Sequence, residues 1–141
     1  SHVAIEVDEE FDGATKSDVR IQNTGDIDAY IRVALVPTWQ DDSGNVAAVP
    51  ASLADLEFTD LYGDNWFVKD GYYYCKSPIA PNRYTGYLFT RAAVKTQNDY
   101  HMNLQILCDA IQAKGGTAAE AAVEAAGWPV TVNPDGTLSA N

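Results

Sequence analysis

The chain has 141 residues, of which 20 are acidic and 9 basic, giving a formal net charge of −11. Nucleic-acid-binding surfaces need clustered Lys and Arg, so this balance argues against a nucleic-acid partner. Hydrophobic residues make up 46% of the chain, which is typical of a folded protein, and residues 1–141 are predicted to form one domain. No apolar run approaches the ~20 residues that span a bilayer, so no transmembrane segment is predicted.

The first residue is Ser1 instead of Met, and no charged or apolar leader precedes it, so we expect a processed chain. The two cysteines, Cys75 and Cys108, are too few for a disulfide framework. They are compatible with one disulfide or with two buried thiols, and the sequence leaves both alternatives open.

The N-terminal segment, residues 2–7, alternates apolar and polar residues and is predicted to be a strand. Val3, Ile5 and Val7 share its apolar face. A strand at a chain terminus can pair within its own molecule or complete the sheet of a neighbour, so these three residues form a candidate assembly strand. The acidic residues that follow, together with Gly13, predict a solvated hinge.

Two alternating runs, residues 18–22 and 30–35, flank an Asn-Thr-Gly-Asp sequence at residues 23–26, which predicts a hairpin turn. Asp70-Gly71 is the strongest hairpin signal in the chain. The later runs at residues 88–94 and 102–110 alternate over lengths typical of central strands.

Thr117 to Glu120 match a capping box, and the Ala-rich sequence after them predicts a helix over residues 117–126 that Gly127 ends. The segment from Trp128 to Val132 is predicted to add an edge strand before a turn at residues 133–136. About eight short strands and a single helix indicate an all-β fold, a two-sheet antiparallel β-sandwich with a jelly-roll-like arrangement.

Few residues have the pattern of a catalytic or metal site. The only histidines are His2 and His101, and no zinc-protease motif is present, so an enzyme is not predicted and His101 is expected to be an exposed strand residue. Calcium is the one cofactor that the sequence suggests, because two acidic groups supply oxygen ligands. Solvated acidic turns are the simpler alternative. The two groups are Asp8, Glu9, Glu10 and Asp12 near the N-terminus, and Asp41, Asp42 and Asn45 further along.

Aromatic residues concentrate between residues 66 and 89. Alternate rings of the consecutive Tyr72, Tyr73 and Tyr74 must point out of a sheet, which makes these tyrosines a candidate partner surface for a glycan or a peptide. Cross-strand aromatic pairing that stiffens a hairpin is the alternative. Arg32 is predicted on the outward face of its strand beside Tyr30, where it should form a bidentate pair with a carboxylate or stack on a ring.

The segment from Asp18 to Val33 resembles the V-x-N-T-G-x-x-x-A-Y-I-R-V stretch of the TasA and camelysin family of Gram-positive exported proteins. Similar features follow in Asp70 to Tyr74 before a proline-containing loop, in Leu88-Phe89 and in Gln112-Ala113. The resemblance covers roughly residues 1 to 113. It implies a jelly-roll-like sandwich, export through a cleaved signal peptide, and a role as a biofilm matrix or fibre subunit. Some members are described as casein-cleaving metalloproteases, an activity for which this sequence supplies no motif.

Three functions remain open at this point. The first is a secreted or cell-surface matrix subunit that assembles by strand addition with itself or with other matrix or cell-surface proteins. The second is a monomeric extracellular binding module for a glycan, a peptide or calcium. The third is a metallo-hydrolase. The N-terminal alternation favours the first function, and the tyrosine row favours the second.

Overall fold

The computed structural model describes residues 2–11 and 15–141. Within these residues one α-helix, α1, spans Thr117–Ala126, and a short 3-10 turn spans Leu53–Asp55. The strands of the described residues, in chain order, are β1 (Ile5–Phe11), β2 (Thr15–Asn23), β3 (Ala29–Gln40), β4 (Leu56–Thr59), β5 (Trp66–Lys69), β6 (Tyr72–Cys75), β7 (Phe89–Val94), β8 (His101–Gln112), β9 (Val130–Val132) and β10 (Leu138–Ala140).

Eight of these strands form two four-stranded antiparallel sheets. The β1 sheet has the order β1-β2-β7-β4, and the β3 sheet has the order β5-β6-β3-β8. The prediction of an all-β two-sheet sandwich is therefore confirmed. Eight strands in two sheets is also the strand count of a jelly roll.

The main core lies between the two sheets because alternate residues of each strand point inward. Val19 and Phe89 contribute from the β1 sheet, and Ile31 and Val33 from the β3 sheet, all with no exposed surface. In β8 the inward residues are those that the alternation predicts, and Leu104 is the most deeply buried of them.

The connection between β2 and β3 differs from its prediction. Residues 23–26 do not form a hairpin turn, because β2 and β3 belong to different sheets and the segment crosses from one to the other. The Asp70-Gly71 hairpin between β5 and β6 is confirmed, with Lys69 opposite Tyr72. Both turn residues have positive φ, 49° for Asp70 and 82° for Gly71, as a two-residue hairpin turn requires.

Residues 117–141, here called the C-terminal layer, cover the outer face of the β3 sheet. The layer consists of α1 and the two-stranded β9–β10 sheet, so the tail forms a hairpin of its own instead of an edge strand of the sandwich. A second core lies beneath it, formed by Tyr30, Tyr74, Ala113, Ala119, Val123, Trp128, Val130 and Leu138.

The predicted bounds of α1 are confirmed, and Gly127 ends the helix with a φ of 69°. The predicted capping box is wrong, because Gly116 is the N-cap residue and no side chain caps the helix. Among the residues that the structure describes, no helical segment has the length and hydrophobicity of a membrane span.

Candidate functional site

Strand β1 lies at the edge of the β1 sheet and, of the strands that the structure describes, is hydrogen-bonded only to β2. Ile5 and Val7 pack, partly buried, against the main core. The predicted bounds need correction, because Val3 precedes the strand and residues 8–11 belong to it instead of forming a hinge. The pairing of β1 with β2 continues to Phe11, because β2 begins at Thr15 and its Lys16 lies opposite Phe11. Asp12 and Gly13 lie outside the described residues.

The turn at residues 23–26 holds the chain just before β1. The amides of Thr24 and Gly25 donate hydrogen bonds to the Ala4 carbonyl at 2.9 and 3.1 Å, and the amide of Asp26 donates to the His2 carbonyl at 2.9 Å. A Cβ at Gly25 would lie 2.3 Å from the His2 carbonyl oxygen. Only glycine therefore permits this close approach of two backbones.

Asn23 organises the same turn from inside the protein. Its side chain is fully buried, and Nδ2 donates to the carbonyls of Ile27 and Ile79, both at 2.8 Å. Its Oδ1 accepts the amide of Gly25 at 2.9 Å. A buried amide whose hydrogen bonds are all made holds its neighbours in one arrangement. The Asn-Thr-Gly sequence is thus the support on which the N-terminal segment rests, a role that turn chemistry alone did not predict.

The acidic residues of β1 form separate ion pairs. Asp8 accepts from Arg20 Nε at 2.7 Å, and Glu9 accepts from Lys16 Nζ at 3.1 Å. The Arg20 guanidinium also lies 3.8 Å from the centroid of the Tyr84 ring. The N-terminal calcium candidates Asp8 and Glu9 are therefore not brought together around one ion, and Asp12 lies outside the described residues.

The second group of calcium candidates does not converge either. Asp41 Oδ1 accepts the amides of Ser43 and Asn45 at 2.9 and 3.0 Å, which closes a local turn. Asp42 instead contacts His101 Nε2 at 2.7 Å, on the exposed side of β8. No group of three or more His, Cys, Asp or Glu residues in the described part of the chain is arranged to hold a metal ion.

The tyrosine row is not an open surface, which corrects its interpretation as a partner site. Tyr73 points into the main core and is 7% exposed. Tyr74 points outward as the alternation requires, but the C-terminal layer covers it completely, and Tyr72 is half-buried beside it. The alternative, cross-strand aromatic pairing, is observed. Phe67 and Tyr74 lie opposite each other on β5 and β6 and stack with their ring centroids 5.3 Å apart.

A cationic side chain lies among these aromatic rings. Arg32 Nε donates to Asp109 Oδ2 at 3.1 Å, and Nη1 donates to the Tyr74 hydroxyl at 3.1 Å. Its guanidinium carbon is 3.8 Å from the Tyr72 ring centroid and 4.9 Å from that of Trp128. The predicted stacking of Arg32 is confirmed, whereas its carboxylate pair with Asp109 uses Nε alone and is not bidentate. We call these five residues the Arg32 cluster, and it joins the β3 sheet to the C-terminal layer.

A cavity of about 380 Å³ opens between the two sheets below the β7–β8 loop. Its walls include the buried Trp39, Leu56 and Leu104, and its lining also includes the polar Gln97 and Asn98 of that loop. Small-molecule sites have this volume and this combination of apolar walls and a few polar groups. The sequence does not predict the cavity because its walls come from strands that are far apart in the chain.

The chain was compared with protein-family models, with curated proteins and with solved structures, and none of them matches it.

Proposed function

We propose that this protein is a secreted or cell-surface structural protein, a biofilm matrix or fibre subunit of the TasA and camelysin type. In this proposal it assembles by strand addition through β1. One observation carries the proposal: among the strands that the structure describes, β1 lies at a sheet edge and pairs with β2 alone. A strand that is paired on one side only can be exchanged for the same strand of a neighbouring molecule.

The contacts that hold β1 within its own molecule are the same contacts that the β1 strand of a neighbouring molecule would make in its place. They comprise the ladder with β2, the Asp8–Arg20 and Glu9–Lys16 ion pairs, and the packing of Ile5 and Val7. Exchange therefore preserves the contact energy, and rising protein concentration favours the assembled form.

The geometry of exchange favours filaments over closed rings. Each subunit gives its β1 to one neighbour and receives β1 from another, so the link is head-to-tail and continues unless the rotation between subunits closes it. The turn at residues 23–26 sets the register, because its amides bind the backbone of His2 and Ala4. A one-residue slip would also turn Ile5 and Val7 away from the core.

Sedimentation and electron microscopy at rising protein concentration test this proposal. We expect fibres from the native chain and from Val46→Asp, whose site is 69% exposed, and none from Ile5→Asp. A peptide with the sequence of residues 1–11 should slow fibre growth by occupying the β1 position. Fibres formed equally well by Ile5→Asp and by a chain lacking residues 1–7 would overturn the proposal. Circular dichroism of each variant separates loss of assembly from loss of folding.

The cavity below the β7–β8 loop favours a second candidate function, a monomeric extracellular binding module for a glycan or a peptide. Titration with panels of oligosaccharides and short peptides tests this function, with binding measured as a change in the fluorescence of Trp39. The Trp39→Phe variant is the control, because it should lose that fluorescence change.

For the metallo-hydrolase we expect no casein cleavage. Chelator-sensitive cleavage that survives rigorous purification would reverse that expectation.

A further inference from the structure

The two sheets of the sandwich end in four edge strands, and they differ in how they are protected. Native proteins protect edges with short strands, charges and bulges. In the described structure β4 and β5 have four residues each, and β1 carries several carboxylates and a register shift between Asp8 and Glu10. By contrast, β8 has 12 residues, pairs with β3 without a register shift, and contains neither proline nor lysine.

The outer side of β8 is accessible and nearly uncharged. Leu107, in the middle of the strand, is 46% exposed. Asp109 is the only acidic residue of β8, and Arg32 pairs with it. No strand of the described residues other than β3 is hydrogen-bonded to β8, and a groove of about 360 Å³, which Glu9 and Lys16 help to line, runs along residues 103–106.

We infer that β8 is a self-association edge at which the β8 strands of two copies pair antiparallel about Leu107. In this register Leu107 lies opposite its own copy, and Asp109 lies opposite Gln105 of the second molecule. No carboxylate faces another carboxylate, which matters because like charges directly opposite each other destabilise a strand pair. In a chain with a net charge of −11, the β8 strand pair itself therefore adds no contact between like charges.

This interface differs from the β1 exchange proposed above. Antiparallel pairing of one strand with itself is isologous and closed, so it produces a dimer in which the two β3 sheets become one continuous sheet. In that dimer both β1 sheets lie on the same side, and their acidic β1 strands approach each other. The dimer should therefore strengthen with salt, which screens exposed charges.

Sedimentation velocity of the full-length chain at rising concentration tests the dimer. Leu107→Lys should weaken the dimer about tenfold or more by adding a charge to the centre of the strand pair. Val68→Lys is the matched control, because Val68 is 43% exposed and lies on the other edge strand of the same sheet. A native chain that stays monomeric, or a Leu107→Lys variant that dimerises like the native chain, would overturn the inference.

Cysteine substitution tests the register directly. Leu107→Cys should form a disulfide between two copies on mild oxidation, because directly opposite Cα atoms lie about 4.5 or 5.5 Å apart. Gln105→Cys should not link to itself, but mixing it with Asp109→Cys should give the heterodisulfide. Equal linking of Leu107→Cys and Gln105→Cys would reject this register. An Ile5→Asp variant that still forms the Leu107→Cys disulfide would show that β8 pairing stands even where β1 exchange fails.

Discussion

The guanidinium carbon of Arg32 lies 3.8 Å from the centroid of the Tyr72 ring, beneath the C-terminal layer. Asp109 balances its charge, and the Tyr74 hydroxyl accepts a further hydrogen bond. The Arg32 side chain is only 16% exposed, so the cation lies in a largely dry aromatic environment. Cation–π contacts gain strength when they are desolvated, and Arg32 therefore stabilises the attachment of the C-terminal layer to the sandwich.

Replacing Arg32 should lower stability without removing the fold. We expect Arg32→Ala to reduce the free energy of unfolding by about 1 to 2 kcal/mol, because it removes a stacked cation and two hydrogen bonds. Arg32→Lys should recover only part of that loss, since an ammonium does not reproduce the planar guanidinium. Urea unfolding measures both variants. Unchanged stability with a loss of assembly would make Arg32 a partner-binding residue instead.

Gly25→Ala should detach the N-terminal segment from its turn. The new Cβ would lie 2.3 Å from the His2 carbonyl oxygen and 2.8 Å from the Ala4 nitrogen, so one of the two backbones must move. We expect faster proteolysis before β1 and a loss of about 1 to 3 kcal/mol. Gly115→Ala is the matched control, because a Cβ there meets nothing within 4 Å. Equal protease resistance of the two variants would contradict the close approach.

Both cysteines should be unreactive in the folded protein. They are free thiols in the structure, which decides between the two alternatives of the sequence analysis. Burial raises the pKa of the Cys75 thiol to about 11, and burial with the nearby charges of Asp109 and Glu9 raises the pKa of Cys108 to about 12. Thiol reagents need the thiolate, so labelling near neutral pH should be slow before unfolding and fast after it. Rapid labelling of the native chain would contradict this.

A charge beneath α1 should release the C-terminal layer. Val123 is 5% exposed, so Val123→Asp places a carboxylate in the second core, whereas Ala125→Asp introduces the same group on the exposed side of α1. We expect Val123→Asp alone to expose the apolar face of the β3 sheet, because a buried unpaired charge is not tolerated. Increased binding of a hydrophobic dye and cleavage near residues 113–117 would report the release. Identical behaviour of the two variants would argue that the layer is not held by this core.

Stability should depend on pH through Asp55. Its carboxylate accepts the Thr96 hydroxyl at 2.7 Å and the Ser52 amide at 2.9 Å, and these bonds lower its pKa below the ordinary value of 3.8. A lowered pKa stabilises the fold above the unfolded-state value, and that contribution is lost as pH falls through the lowered pKa. The Tm difference between the native chain and Asp55→Asn should therefore be largest near neutral pH and shrink as the pH falls below the ordinary carboxyl pKa of 3.8. A difference independent of pH would contradict this role.

The sequence predicted much of the local structure and little of the long-range structure. Alternation identified the inward residues of β8 because side chains in a strand alternate with a period of two. It carried no information on which strands pair, so residues 23–26 were assigned to a hairpin although they cross between sheets. The tyrosines were misjudged for a related reason, since what covers Tyr74 is a layer some 50 residues later in the chain. The calcium candidates within the described residues do not converge, because Asp8 and Glu9 pair with Arg20 and Lys16 and Asp42 contacts His101.

The central position of β3 has a consequence for how the protein forms during synthesis. Its two neighbours, β6 and β8, are both made after it, and Ile31 lies opposite Ala110. By contrast, β2 can pair at once with β1 and waits only for β7 on its other side. Pairings between distant segments are slow to form because a long loop must close first. The nascent chain therefore emerges with β3 lacking both of its partners, and the sandwich closes only once β8 has been made.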